Sequence, residues 1–286
     1  KAIAVDREYL AYAGPHNYYT ASRCHDLHLM MHACMMLGQF GPTFAAAEEI
    51  CENLTEDVID LKDKPFIRHT MEGYFSMKMH ALVRFGKWQQ IVDTPMPENP
   101  DLYCVSTSMH HYAKGVAYAA RKQFTEAESQ KTCFYDSLQR ISPTRKFFNN
   151  PALQTLGVGE KMLLGELEYH KGNHETAFEH LREAVQRSDS LHYSEPWPWM
   201  HPPRHALGAL LMAQGQQAEA EKVYREDLGL SDTVLRCAQH PNNVWALHGL
   251  VECLTNRGET EESGEFTTLL DSALNKADFA VTSSCC

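Results

Sequence analysis

The sequence predicts an all-α fold, and three observations support that prediction. Apolar residues recur at intervals of three and four along most of the chain, which is the spacing of one helical face. Strand-like patterns are nearly absent. Short polar turns, most of them with a glycine, separate the helical segments, so the helices are expected to pair as hairpins.

Six turns divide the chain into these hairpins. The clearest lies in "GELEYHKGNHETAFEHLREAVQ", where Gly172 separates two helical patterns, and "LGALLMAQGQQAEAEKVYREDL" repeats the plan around Gly215. The segment "KGVAYAARKQFTEAESQKTCF" has the same plan, with Lys122 at the turn. Three weaker matches complete the set. The six equivalent turn residues are Gly38, Gly86, Lys122, Gly172, Gly215 and Gly258.

These segments resemble the tetratricopeptide repeat (TPR). That family places small residues where two helices cross, a glycine at the turn and alanines in the second helix. The resemblance covers residues 23–274 and implies one right-handed α-solenoid of about six hairpins. The units are longer than the family's roughly 34 residues. Extended loops are therefore expected at residues 94–100, 142–151 and 193–203.

The sequence also resembles bacterial TPR proteins of no assigned activity, which implies a fold but no reaction. This resemblance rests on "HDLH", "ALVRFGKW", "HHYAKG", "GELEYHKG", "EPWPW" and "NNVWALHGL". Beside the solenoid we expect an irregular N-terminal segment at residues 1–22 and a free tail at 275–286. The chain opens with Lys1 rather than Met, so we expect it to be trimmed or processed.

Composition narrows the classes of partner. A formal net charge of −11 and the lack of basic runs argue against a nucleic-acid partner. No apolar run approaches the roughly 18 residues of a membrane span. Nine cysteines without a CxxC pair suit a reducing compartment, so we predict a cytoplasmic location. The ending "SSCC" resembles doubly prenylated Rab-type GTPases, but nothing else does, and we do not expect lipidation of Cys285 and Cys286.

Histidines are concentrated on the face that the TPR resemblance assigns to the concave groove. The first helix of each hairpin lines that groove, and its inner face is found by counting back from each turn residue. Four positions in each of the six hairpins give 24 inner-face positions. Six of these 24 are histidine, against 16 of 286 residues in the whole chain, and three of the six come from "HDLHLMMHACMMLG". The predicted groove residues are His25, His28, His32, His80, Tyr112, Glu166, His205, Trp245, His248 and Glu252.

Two functions are compatible with such a groove. The first is a binding module for a peptide, a partner protein or a small ligand, because neutral imidazoles donate and accept hydrogen bonds beside aromatic side chains. The second is an enzyme in which a bound Zn, Fe or Cu ion activates water or oxygen. The predicted metal ligands are His25, His28, His80 and Glu166. The histidines can also be purely structural, bonded to neighbours or water. No nucleophile elbow, Walker loop or complete GxGxxG supports other chemistry.

The loop in "EPWPWMHPPRH" has two interpretations. It is either a lid, with Trp197 and Trp199 closing one end of the groove and Glu195 or Arg204 binding a polar ligand, or an ordered loop that covers the hairpin edges with its aromatic side chains. We favour the ordered loop.

Overall fold

The computed structural model describes residues 1–285, and it confirms the all-α class because the described chain is mostly helical. Its helices are α1 (Ala2–Ala13), α2 (Tyr19–Met36), α3 (Phe40–Asn53), α4 (Glu56–Ile59), α5 (Pro65–Phe75), α6 (Met77–Arg84), α7 (Trp88–Asp93), α8 (Cys104–Ala120), α9 (Phe124–Leu138), α10 (Ala152–His170), α11 (His174–Asp189), α12 (Pro203–Ala213), α13 (Gln217–Leu228), α14 (Val244–Arg257) and α15 (Thr260–Leu274). Two short antiparallel strands, β1 (Lys146–Phe147) and β2 (Asn150–Pro151), lie in the predicted loop before α10. Within residues 1–285, none of the helices combines the length and the apolar character that a bilayer span requires.

The six predicted turn residues are confirmed, since each joins two helices with a left-handed backbone. Their φ angles are 70° at Gly38, 59° at Gly86, 58° at Lys122, 91° at Gly172, 73° at Gly215 and 77° at Gly258. A Cβ atom makes this conformation costly, which explains why glycine holds five of the six positions. The helices so joined also pack together, as α2 with α3, α6 with α7, α8 with α9, α10 with α11, α12 with α13 and α14 with α15.

Small residues let neighbouring helices cross closely. A Cβ atom on Gly165 of α10 would lie 2.6 Å from Leu181 of α11. On Gly208 of α12 or Gly249 of α14 it would lie 2.4 or 2.2 Å from the ring of Tyr224, which is fully buried between these helices. Such distances are far below van der Waals contact, so the crossings require glycine.

The N-terminal segment is not irregular, as the sequence suggested. Residues 2–13 form α1, and α2 already begins at Tyr19. The hydroxyl of Tyr19 donates to the buried carboxylate of Asp6 at 2.8 Å, which fixes α1 against α2. This pairing was not predicted, because it joins single side chains of two helices: Asp6 bonds Tyr19, and the ring of Tyr9 lies 5.1 Å from that of Tyr19.

The first and last helical pairs contact each other. The indole Nε1–H of Trp245 in α14 donates to the backbone oxygen of Met35 in α2 at 2.7 Å, although the two residues are 210 positions apart. The rings of His32 and His240 lie 5.9 Å apart at the same junction. The series of helices therefore closes on itself and encloses an interior. Two segments outside the helices pack against that interior: the loop between α11 and α12, residues 190–202 (the interior loop), whose residues 196–202 are buried, and residues 275–285 (the tail), of which Ser284 is buried.

Candidate functional site

The interior loop occupies the first part of the predicted groove. Trp199 is 1% exposed, and its ring lies 4.6 Å from that of His80 and 5.0 Å from that of Tyr112. The sulfur of Met200 lies 2.7 Å from Nε2 of His28. A Cβ atom on Gly159 would lie 2.7 Å from the Trp199 ring, so α10 is shaped to receive the indole. His28, His80 and Tyr112 thus face inward as predicted, but they contact the chain's own loop.

The four residues predicted as a lid do not close over an open groove. Trp199 lies inside the interior, and Trp197 is largely buried with its ring 6.0 Å from that of Tyr193. Glu195 is exposed and accepts a hydrogen bond from the hydroxyl of Tyr193. Arg204 belongs to α12, where its guanidinium bonds both carboxylate oxygens of Asp189 at 2.7 Å. Burial of the apolar side chains explains this placement, because an open groove would leave two indoles in water.

The four predicted metal ligands do not converge. Nδ1 of His25 lies near the surface, 3.4 Å from the carboxylate of Asp26. His28 and His80 each face a different part of the interior loop, as described above. Glu166 lies elsewhere, with its Oε2 3.6 Å from Nε2 of His170. Across residues 1–285, no three histidine, cysteine, aspartate or glutamate side chains are grouped so that they could hold a metal ion.

The interior histidines are neutral. Burial lowers the pKa of His80 to about 3, that of His32 to about 3 and that of His205 to about 4. The same cause places the pKa values of His28 and His201 well below the usual range. Removing water penalises the charged imidazolium more than the neutral ring. At neutral pH these side chains are therefore packing groups with one donor and one acceptor each.

A hydrogen-bonded relay runs through the centre of the interior. Asp227, near the end of α13, accepts from Nε2–H of His205 at 2.8 Å and from Nδ1–H of His240 at 2.9 Å. Nδ1 of His205 lies 3.1 Å from Nη1 of Arg84, and because a guanidinium can only donate, this nitrogen accepts. Burial alone would raise the pKa of Asp227, but the two histidines lower it below its usual range. The relay thus connects the carboxylate of Asp227, through the ring of His205, to the buried guanidinium of Arg84.

The relay ends on the tail. Nη2 of Arg84 donates to the backbone oxygen of Ser284 at 2.8 Å, and the guanidinium lies 3.6 Å from the ring centre of Trp245. The Ser284 hydroxyl pairs with that of Tyr224 at 2.5 Å and donates to the backbone oxygen of His205 at 3.3 Å. Ser284 is 1% exposed, so these bonds form out of contact with water.

The start of the tail contacts the first helical pair. The carboxylate of Asp278 accepts from the backbone N–H of Phe40 at 2.5 Å and of Gly41 at 3.0 Å, at the N-terminus of α3. The side-chain amide of Gln39 donates to the backbone oxygen of Lys276 at 2.7 Å. Residues 275–285 form neither helix nor strand, with a turn at 275–276 and bends at 278–279 and 283–284, and these contacts hold the tail against the helices rather than leaving it free.

Between these two ends, aromatic side chains hold Phe279. Its ring centre lies 5.1 Å from that of Phe85 and 6.3 Å from that of Trp245. The ammonium of Lys87 lies 5.1 Å from the Phe279 ring centre. The surface that contacts the tail is called the tail channel. Its residues are Gly38, Gln39, Phe40, Gly41, Arg84, Phe85, Lys87, His205, Tyr224 and Trp245.

A recess of about 200 Å³ continues the tail channel past Ser284. It is lined by Val83, Arg84, Trp88, Tyr112, Val116, Ala120, Met162, Glu166, His170, His201 and Cys285. Burial raises the pKa of Glu166 to about 8, and Cys285 adds to this effect. The carboxyl group is therefore protonated at neutral pH and can donate a hydrogen bond.

The predicted groove residues thus separate into four sets. His205, Trp245 and Glu166 lie along the tail or its recess, and His28, His80 and Tyr112 contact the interior loop. His32 lies at the junction of the first and last pairs. The remaining three do not contact either segment in the described contacts: His25 lies at the surface, and His248 and Glu252 face each other along α14 at 4.0 Å.

Sequence reasoning missed Arg84, Asp227 and Ser284. One signal for Asp227 was present, because a carboxylate in the last turn of a helix opposes the helix dipole and needs compensating donors. Arg84 and Ser284 carried no comparable signal. A single arginine beside a turn and a serine in a polar tail are both ordinary surface patterns.

Lipidation was predicted not to occur at Cys285 and Cys286, of which Cys286 lies outside the described residues.

Comparison with known proteins adds no family to this description. No protein-family model, curated protein or solved structure matches the chain. The tetratricopeptide resemblance therefore stays a prediction.

Proposed function

We propose that this protein is a binding module that holds an extended peptide in the tail channel, and that its helical pairs form a TPR-like solenoid over residues 23–274 whose inner surface is this channel. The observation that supports the proposal is the tail itself. A segment without secondary structure lies against the interior from Lys276 to Cys285 and is bonded at both ends. It serves as a bound peptide that happens to be covalently attached.

The contacts are those by which proteins recognise extended peptides. Gln39 and Arg84 bond backbone oxygens of the tail, which any peptide sequence would offer. The aromatic rings around Phe279 and the buried hydroxyl site around Ser284 recognise side chains. Main-chain bonds supply affinity and side-chain pockets supply specificity in such complexes.

Attachment gives the tail an advantage over any peptide in solution. A segment joined to its site by a few residues competes at an effective concentration on the order of millimolar. A channel that binds a free peptide with a Kd of roughly 10 μM would then be about 99% occupied by its own tail. Partners must therefore bind more tightly than the tail or act when the tail is released.

No contact in the described structure favours the metal-dependent enzyme over this binding module, because the predicted ligands lie apart. We further propose a cytoplasmic location. The eight described cysteines are all free thiols, which suits a reducing compartment.

The test uses a full-length variant in which the tail is released by Asp278→Ala together with Phe279→Ala. A fluorescent peptide with the sequence of residues 276–285, carrying serine in place of the final cysteine, is titrated and its anisotropy is measured. We expect saturable binding to the variant and at least tenfold weaker binding to the unmodified protein, whose channel is occupied.

The matched control variant carries Glu98→Ala and Tyr12→Ala, which remove an exposed carboxylate and an exposed ring that have no described contact with the tail or the tail channel. It should behave like the unmodified protein. A released-tail variant that keeps its helical circular dichroism but binds neither this peptide nor a scrambled one would refute the proposal.

A further inference from the structure

We infer that the peptides bound by the tail channel carry an acidic residue followed directly by an aromatic residue, with a serine five positions after the aromatic. This inference rests on the proposed function and names the partner of the same channel. It is carried by the three tail side chains that make the most specific contacts: Asp278, Phe279 and Ser284.

The acidic position is set by the N-terminus of α3. The first N–H groups of a helix lack internal partners and attract negative charge. α3 has no acidic residue in its first turn, and its N-cap residue Gln39 makes no side-chain capping bond. Asp278 supplies the missing acceptor from outside the helix by bonding the N–H groups of Phe40 and Gly41. The carboxylate uses one oxygen for each group, whereas an asparagine amide offers one acceptor oxygen in place of two and a basic side chain offers none.

The aromatic position is set by two rings and a cation. Phe85 and Trp245 meet the Phe279 ring at interplanar angles of 74° and 49°. Tilted and edge-to-face arrangements of this kind favour an aromatic over an aliphatic side chain. The Lys87 ammonium lies 5.1 Å from the Phe279 ring and 4.3 Å from that of Phe40, so a flat π surface at this position adds a cation–π contact.

The serine position is set by a buried hydroxyl pair. The Tyr224 ring is fixed between Gly208 and Gly249, so its hydroxyl cannot move away when its partner changes. Replacing the serine with alanine would leave that hydroxyl without the 2.5 Å bond in a site that water does not reach. An unsatisfied buried polar group is costly, which makes the hydroxyl a requirement of the site rather than a tolerated feature.

The spacing follows from the rigid frame. α3, α14 and α13 hold the three positions, and the segment between Phe279 and Ser284 lies against the channel with bends at 278–279 and 283–284. An inserted residue has to bulge out of this segment or displace the aromatic side chain or the hydroxyl from its site. The motif is a pattern of chemistry and spacing, so it predicts partners without requiring any other similarity to the tail.

The experiment measures a set of peptides based on the ten residues 276–285 against the full-length variant with Asp278→Ala and Phe279→Ala. The set contains the tail sequence and four versions of it: Asp to Asn, Phe to Leu, Ser to Ala at the position of Ser284, and one alanine inserted between the aromatic and that serine. We expect each change to raise Kd at least fivefold, and the insertion to raise it at least twentyfold. Serine to alanine at the position of Ser283, which is less buried, is the control and should leave Kd within twofold.

The outcomes separate the two proposals. If the tail peptide binds and the four changed peptides bind equally well, the motif is refuted while the binding module stands. If no peptide binds, the proposed function fails and the motif with it. Selection from a random ten-residue display library on the same variant adds an unbiased readout, in which the motif predicts enrichment of acidic-aromatic pairs with a serine five positions after the aromatic. Enriched peptides without that pattern would overturn it.

Discussion

Gly41→Ala tests whether the tail is held at the N-terminus of α3. A Cβ atom at Gly41 would lie 2.9 Å from Oδ2 of Asp278, closer than such atoms normally approach. The carboxylate must withdraw and weaken its bonds to the N–H groups of Phe40 and Gly41. Losing a cap of this kind costs about 1 kcal/mol. Since 1.4 kcal/mol is a factor of ten, the undocked fraction of the tail should rise about fivefold.

The assay is amide hydrogen exchange of residues 276–284, followed by mass spectrometry. The matched control is Gly264→Ala, because Gly264 lies exposed in α15 with open space around its Cβ position. That change should stabilise α15 by up to about 1 kcal/mol and leave tail exchange unaltered. The reasoning is refuted if Gly41→Ala leaves tail exchange unchanged, or if the two variants accelerate it equally.

Three further predictions concern charge and packing in the interior. First, the free energy of unfolding should fall as pH falls from 6.5 towards 4. In the unfolded chain His80 and His205 take up protons over this range, whereas in the fold, with pKa values of about 3 and 4, they stay neutral. Each residue lowers the free energy of unfolding by about 1.4 kcal/mol per pH unit. Thermal melting that is flat between pH 7 and 4.5 would contradict this. Second, Glu166 has a folded pKa of about 8, above its ordinary 4.5. Its carboxyl therefore ionises in the unfolded chain at a lower pH than in the fold, and this lowers the free energy of unfolding progressively as pH rises from 4.5 to 8. Glu166→Gln should therefore raise the melting temperature at pH 8 relative to the unmodified protein and change it little at pH 5; an equal effect at both pH values would count against the buried carboxyl. Third, Gly159→Ala should cost about 1–3 kcal/mol by forcing Trp199 from its site, seen as a lower urea midpoint, whereas an unchanged midpoint would show that the indole is not tightly packed there.

Local features of the fold were predictable from the sequence. The six turn residues were identified because a left-handed backbone is a local property that selects glycine, and the structure places all six in that conformation. Helical periodicity also identified an inward face, and His28, His80 and Tyr112 do lie in the interior. Both predictions depend on residues within one or two helical turns of each other.

What fills the interior could not be predicted in the same way. His28 meets Met200 across 172 positions, and Arg84 meets Ser284 across 200. These contacts depend on how helical pairs far apart in the sequence are placed in space, and the residues of one or two helical turns carry no signal for that placement. The tail has no periodicity at all, so the sequence suggested a free segment. It is held by groups that only the folded chain assembles.

Photo-crosslinking tests most directly whether a peptide occupies the tail channel. A peptide with the sequence of residues 276–285, with benzoylphenylalanine at the position of Phe279, is bound to the full-length variant carrying Asp278→Ala and Phe279→Ala and irradiated. Mass spectrometry then locates the new bond. The account predicts crosslinks concentrated at Phe85, Lys87 and Trp245, the side chains around the Phe279 ring. Crosslinks at the outer surface, or the same pattern on the unmodified protein at equal peptide concentration, would contradict it.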